Sequence, residues 1–181
     1  MTLTCFSIPN HLLNQYKLPS IKYFNLEALS PSYNPHKTRD APMNVLLSIK
    51  PKYVEAIKKG TKKYEFRKSI WAEKNRGKVE KVFIYASSPV KKIVARFRPE
   101  SLHEDHPKKL WKNCKEFSGI DETAFFRYFR EKERGFALKI SDLKVYDEPI
   151  DPHRVLPDFH APQSFCYVED LEKRQEITSF F

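Results

Sequence analysis

Gly60-Thr61-Lys62-Lys63-Tyr64-Glu65-Phe66-Arg67 is the stretch on which the reading of this chain turns. Just upstream, Pro51 opens a segment in which Tyr53, Val54 and Ile57 recur at helical spacing. Lys58 and Lys59 suit the negative end of that helix, and Gly60 supplies the left-handed residue that stops it. Residues 62–70 then read as a strand. Its alternation puts Tyr64 and Phe66 on one face and Glu65 and Arg67 on the other. Charges on a strand that enters a small core are costly unless they pair or face a polar pocket. The segment therefore predicts a charged pocket floor from Glu65 and Arg67, with Lys62 at the mouth.

Working outward, residues 45–49 form an apolar strand before Lys50-Pro51. A third strand covers 81–86 and stops at Ser87-Ser88-Pro89. A fourth covers 92–98, with Ile93, Ala95 and Phe97 alternating. Helices are predicted over 107–117, with Leu110, Trp111, Cys114 and Phe117 on one face, and over 121–132, with Asp121 as N-cap and Phe125, Phe126 and Phe129 buried. A fifth strand runs over 135–140 and is extended, or followed by a sixth, at 143–146. Pro149, Pro152 and Pro157 mark a loop, and residues 163–168 close the sheet. Mostly antiparallel strands with inserted helices predict an α+β fold, a small β-barrel.

The chain has 181 residues, with 33 Lys and Arg against 23 Asp and Glu and a formal net charge of +10. That length suits one domain plus extra sequence. The basic excess, with lysines beside aromatic residues, points to an anionic partner and first to nucleic acid; a basic surface that only confers solubility is the alternative. Cys5, Cys114 and Cys166 are odd in number and far apart, which argues against a disulfide framework or a zinc knuckle. No apolar run reaches the length of a membrane span, and the N-terminus lacks the form of a secretory signal. A cytoplasmic protein with no membrane partner is the expectation.

Residues 1–42 differ from the rest. Pro9, Pro19, Pro31, Pro35 and Pro42 interrupt them, and they read as an extended or partly disordered leader. A second reading takes Met43, which directly precedes the first strand, as the start of translation. The domain proper is 43–170, and 171–181 form a C-terminal tail.

Gly60, Lys62, Glu65 and Arg67 match the signature Gly-x-Lys-x-x-Glu-x-Arg at every position. With Ser48-Ile49-Lys50-Pro51, Tyr85-Ala86-Ser87-Ser88-Pro89, Ser118-Gly119-Ile120 and Pro162-Gln163-Ser164-Phe165, the chain resembles the ASCH family, a branch of the PUA-like β-barrels, over roughly 43–168. The resemblance implies binding of RNA or a nucleotide-like ligand and a role as a regulator linked to transcription or translation. Some members act as ribonucleases. One branch hydrolyses the amide of N4-acetylcytidine with a lysine and a threonine of this signature; Glu65 stands at the threonine position here, and a carboxylate does not replace a hydroxyl nucleophile.

The candidate ligand-binding set is Lys50, Lys62, Glu65, Arg67, Tyr85, Ser87 and Gln163. Arg67 offers a fixed fork of donors to a phosphate or base edge, and Glu65 accepts from a base amino group. Equally, the two form an ion pair that only fixes the fold. Lys62 and Tyr85 are the catalytic candidates if the protein is an enzyme: Lys62 as a general base with a depressed pKa, Tyr85 near a 2′-hydroxyl. Otherwise Lys62 is a solvated phosphate contact and Tyr85 either stacks on a base or packs in the barrel. Lys58, Lys59, Lys63, Lys68, Lys91 and Lys92 are the candidate phosphate patch. His103-Glu104-Asp105-His106 carries no metal expectation, because Pro107 disfavours the helix that would align the histidines. No cofactor is expected. The functional alternatives to an RNA-binding regulator are a metal-independent ribonuclease or modified-nucleoside hydrolase, and a protein-interaction module built on the helices around Trp111 and Phe129.

Overall fold

The computed structural model describes residues 42–178. The leader expected over 1–42 lies outside the described residues except at its last position. In order, the elements are β1 (Met43–Ile49), α1 (Pro51–Lys58), β2 (Tyr64–Arg67), β3 (Val79–Ala86), β4 (Lys92–Asp105), α2 (Pro107–Cys114), α3 (Glu122–Tyr128), β5 (Gly135–Ile150), α4 (Pro152–Val155), β6 (Phe165–Val168) and α5 (Leu171–Thr178). Single 3-10 turns lie at Glu73–Asn75 and Lys115–Phe117. The strands form one six-stranded sheet in the order β2-β5-β4-β3-β1-β6. The β1–β3 pair is parallel, and the other four pairs are antiparallel.

Side-chain alternation sorts the core onto two sides of this sheet. Val45, Leu47 and Ile49 of β1 pack with Val82, Ile84 and Ala86 of β3 and with Val54 and Ile57 of α1. Leu46 and the neighbouring Phe83 and Tyr85 point to the opposite side, against Ile150, Val155 and Leu171. Covered on both faces, β1 carries the continuous apolar run Val45-Leu46-Leu47 at its centre, as expected of a central strand with a parallel neighbour. A third cluster joins Phe66 of β2 to Leu110, Phe125 and Phe129 of the helices, with the Phe66 and Phe125 rings edge-on at 4.9 Å. Asp121 caps α3 as its sequence predicts, its side chain accepting from Ala124 N at 2.8 Å.

Several boundaries differ from the expectation for reasons of pairing. β2 is short because its ladder with β5 ends where β5 begins, at the Arg67–Phe136 pair next to Gly135. Lys62 and Lys63 are held instead by a bridge to Ser118 and by Lys63 N to Phe117 O at 2.8 Å. β4 and β5 run longer because each gives the other its partner from Ile93–Ile150 to Asp105–Gly135, with irregular register around Pro99. The predicted pieces 135–140 and 143–146 are thus one strand. The proline-marked loop contains α4, begun by Asp151 as N-cap. The tail is α5 over residues 171–178.

No strand pairing joins the edge strands β2 and β6, so the sheet is not closed into a barrel. It is strongly curled all the same. Five strand spacings in a flat sheet would put the edges roughly 24 Å apart. Yet Arg67 on β2 donates from Nη1 to Ser48 O on β1 at 3.2 Å, and from Nη2 to Ser164 Oγ just before β6 at 2.7 Å. One guanidinium therefore staples the open seam.

Candidate functional site

At that seam the three signature charges come together. Lys62 Nζ lies 3.5 Å from Glu65 Oε2, and Glu65 Oε1 lies 3.5 Å from Arg67 Nη1. All three residues are buried, at 4%, 6% and 8% exposure, so the charges screen each other rather than being screened by water. Two cations face one carboxylate, which leaves the site with a positive excess when Lys62 is protonated. Burial drives the Lys62 pKa down, Glu65 opposes the drop, and Arg67 adds to it. The net direction is downward, which makes the neutral amine accessible.

Local sequence explains the geometry. Gly60, at φ +73°, ends α1 and turns the chain into the strand; Gly60 N donates to Ile57 O at 3.0 Å. Lys62 then folds under the 118–120 turn, and its Nζ donates to Ser118 O at 3.1 Å. Gly119, at φ +61°, allows this close approach: a Cβ there would sit 2.4 Å from Lys62 Cβ. The Lys62 amine also lies 4.7 Å from the Phe66 ring centre and 5.5 Å from that of Tyr53, within cation–π range.

Two tyrosines that the sequence reading left out of the site stand beside the charges. Tyr53 is half-buried on α1. Tyr128, at the end of α3, is 37% exposed. Burial pushes the Tyr128 phenol pKa up, with Arg67 opposing and Glu65 and Tyr53 reinforcing the shift, which places it in the electrostatic neighbourhood of the triad. Lys68 Nζ lies 5.0 Å from its ring centre. Tyr128 is 61 positions from Arg67, and its one sequence signal is an aromatic with a polar tip just off the Phe125–Phe129 face.

The other predicted residues distribute as follows. Lys50 is exposed at the β1–α1 junction, and exposed Gln163 adjoins Ser164, the Arg67 acceptor. Ser87 is half-buried next to the same strand end, its N–H donating to Ile49 O at 2.9 Å. Tyr85 is not brought to the triad. Glu65 pairs with Leu138, which belongs to the cluster on the Ile84 side, whereas Tyr85 points to the opposite side and packs edge-on against Phe159 at 5.2 Å. Lys63 is exposed over the Phe117 ring at 3.9 Å. Lys58 pairs with Glu55 at 3.1 Å, while Lys59 and Lys91 are exposed. Lys92 is engaged by Asp151 at 2.5 Å. Lys58, Lys59, Lys63 and Lys68 thus flank the signature segment, whereas Lys91 lies in the β3–β4 turn and Lys92 opens β4.

His106 caps α2, with Nδ1 accepting from Lys108 N at 3.2 Å. Among the described residues no group of three or more His, Cys, Asp or Glu side chains is placed to hold a metal. No helix among them is long and apolar enough to cross a membrane.

A curled six-stranded α+β sheet with a buried Lys–Glu–Arg chain at its seam places the protein in a definite class. The family model for the ASCH domain matches residues 47–147, more than half of the chain, and the chain belongs to the ASCH domain family. A curated relative, an ASCH domain-containing ribonuclease of Zymomonas mobilis, is 25% identical over 142 residues, spanning 74% of this chain and 91% of the relative. The crystal structure of ASCH from Zymomonas mobilis shares the fold, with a TM-score of 0.65 at 24% identity over 78% of this chain and 96% of that one. A serine-to-alanine variant of that protein gives the same TM-score over 76% and 95%.

Proposed function

We propose that this protein is a cytoplasmic ASCH-type regulator that binds single-stranded RNA or a nucleotide-like ligand at the β2 seam. The observation that carries the reading is the buried Lys62–Glu65–Arg67 chain, two cations on one carboxylate, beside the exposed Tyr128 and Lys68. Arg67 spends its fork on Ser48, Ser164 and Glu65, so its main part is to hold the seam and supply field. The direct contacts fall to the rim: Tyr128 and Tyr53 stack on a base, and Lys68, Lys63 and Lys50 meet phosphates. Gln163 and Ser87 edge the same rim. The same reading treats the curled sheet as a PUA-like barrel whose seam is spanned by a side chain in place of a backbone ladder. Stacking on an aromatic contributes about 1–3 kcal/mol per base. Titrating labelled single-stranded RNA by fluorescence anisotropy tests this. Tyr128→Ala should weaken binding by roughly five- to hundredfold while Tyr128→Phe retains it. Equal affinity of wild type and Tyr128→Ala would remove the site.

A second reading, a metal-independent ribonuclease, is favoured by the downward pKa of Lys62 and by the name of the 25%-identical relative. Neutral Lys62 would take the proton of a 2′-hydroxyl as its oxygen bonds to the adjacent phosphorus and the P–O5′ bond breaks, the 5′-oxygen leaving with a proton from water, while the positive charge of Arg67 would stabilise the negative charge on the non-bridging phosphate oxygens. In EDTA, wild type should cleave labelled RNA and Lys62→Met should be slowed by about a hundredfold. Absence of cleavage by wild type refutes the enzyme and leaves the binding reading standing.

A further inference from the structure

A second cluster of cations lies away from the seam, on three adjacent strands. Lys81 of β3, Arg96 of β4 and Lys144 of β5 all converge on one carboxylate, Glu172 of α5. The distances are 2.9 Å from Lys81, 3.4 Å from Arg96 and 2.8 Å from Lys144. Asp170 adds a contact to Lys81 at 2.7 Å, and Asp142 one to Arg96 at 2.8 Å. Arg96 and Lys144 stand directly opposite each other in the β4–β5 ladder. Like charges in that position repel, so the sheet face requires an anion above it. Glu172 meets that need, accepting from Lys81 and Lys144, and the donors around it are arranged as they would be for the oxygens of a phosphate.

The apolar hold on the element that brings the anion is slight. Leu171 is the only buried residue of α5. The rest of its hold is polar, including Arg174 Nη1 to Val155 O at 2.9 Å. An open cleft of about 260 Å³ already runs along its edge, lined by Lys144, Tyr146, Glu172, Gln175 and Glu176. Burial pushes the Glu172 pKa up, yet its hydrogen bonds from Lys144 and Lys81 outweigh this and hold it near 2, so the carboxylate stays charged at working pH.

We propose that Lys81, Arg96 and Lys144 form a second anion site, closed here by Glu172 of α5, and that a backbone phosphate of RNA takes the place of this carboxylate when α5 moves aside. The helix is then an acidic plug that makes RNA binding by this face conditional. The cation site follows from the geometry alone; RNA as the source of the phosphate rests on the reading of the protein as an RNA binder.

The test is anisotropy of labelled single-stranded RNA with wild type and Glu172→Gln at stepped KCl. Glu172→Gln should bind at least about fivefold tighter at low salt, with a log–log salt slope steeper by about one to two, and adding Lys144→Ala should cancel the gain. Identical affinity and slope overturn the proposal. If no protein binds RNA, the RNA reading fails, and inorganic pyrophosphate decides the site. Stabilisation of Glu172→Gln against heat, without effect on wild type, upholds it; an equal effect on both, or none, removes it. If Glu172→Gln does not fold, hydrogen exchange on the wild type serves instead. The amides of α5 should exchange faster when RNA saturates the protein, and unchanged or slower exchange overturns the plug.

Discussion

Glu65→Gln is the perturbation that exposes the logic of the seam. Glu65 is the one carboxylate between two buried cations, 3.5 Å from each. Removing one member of a buried charge network costs about 3–5 kcal/mol, because the partners left behind have lost both water and counter-charge. The lower end applies here. Both contacts are long, and Lys62 has an escape, since without Glu65 its already lowered pKa falls further and the amine goes neutral. The expected loss at pH 6 is about 3 kcal/mol, or roughly 10 °C in Tm. The sign with pH follows from proton counting. The unfolded chain holds the Lys62 proton up to its ordinary pKa of 10.5, and the folded variant gives it up earlier. Stability therefore rises with pH through that window, more in the variant than in wild type. Urea unfolding followed by the fluorescence of buried Trp71 at pH 6 and pH 9 measures both numbers. The gap between the proteins should narrow by about 1 kcal/mol or more at pH 9. A loss below about 1 kcal/mol at pH 6, or a gap that widens with pH, would refute the view that these charges compensate one another in a buried site.

Gly119→Ala should cost about 2 kcal/mol or more in urea unfolding, because the new Cβ sits on Lys62 at 2.4 Å in a left-handed backbone; a neutral result would mean that the turn does not press on Lys62. Arg67→Lys keeps the charge and loses the two-armed staple, so thermal unfolding should show a loss of about 1.5–3 kcal/mol, matched in part by Ser164→Ala. Glu172, held at about 2 against an ordinary 4.5, contributes about 1–3 kcal/mol after solvent screening, fully present above pH 4.5 and lost as pH falls through 2. Acid titration of Glu172→Gln should accordingly lack that part of the wild-type decline.

Most of what was legible in the chain is local. Pro51 and Gly60 bracket α1, Asp121 starts α3, and the alternation from Tyr64 to Arg67 sorts charges from aromatics, all from short-range rules that survive in the fold. The lengths of β4 and β5 were not legible, since each is extended by the other's backbone across Pro99 and Asp142, which read locally as breaks. Nor was the staple. That Arg67 would bond to Ser48 and Ser164 depends on how far the sheet curls, which no single segment encodes. Tyr128 was hidden by the same distance in sequence. Tyr85 went to the other face because strand alternation fixes a side only relative to a neighbour, and its neighbour in the ladder, β1, buries apolar residues on both sides. The tail became a helix through charges on three strands that it meets only in the folded state.

The most direct measurement of the central claim is ultraviolet crosslinking of the full chain to single-stranded RNA, with the attached peptides identified by mass spectrometry. Crosslinks on Tyr128, Tyr53 or Lys68 in the wild type, with those on Tyr53 and Lys68 weakened when Tyr128 is replaced by Ala, are the predicted result. Crosslinks confined to other surfaces, or an unchanged pattern in that variant, would contradict the assignment of RNA binding to the rim of the Lys62–Glu65–Arg67 seam.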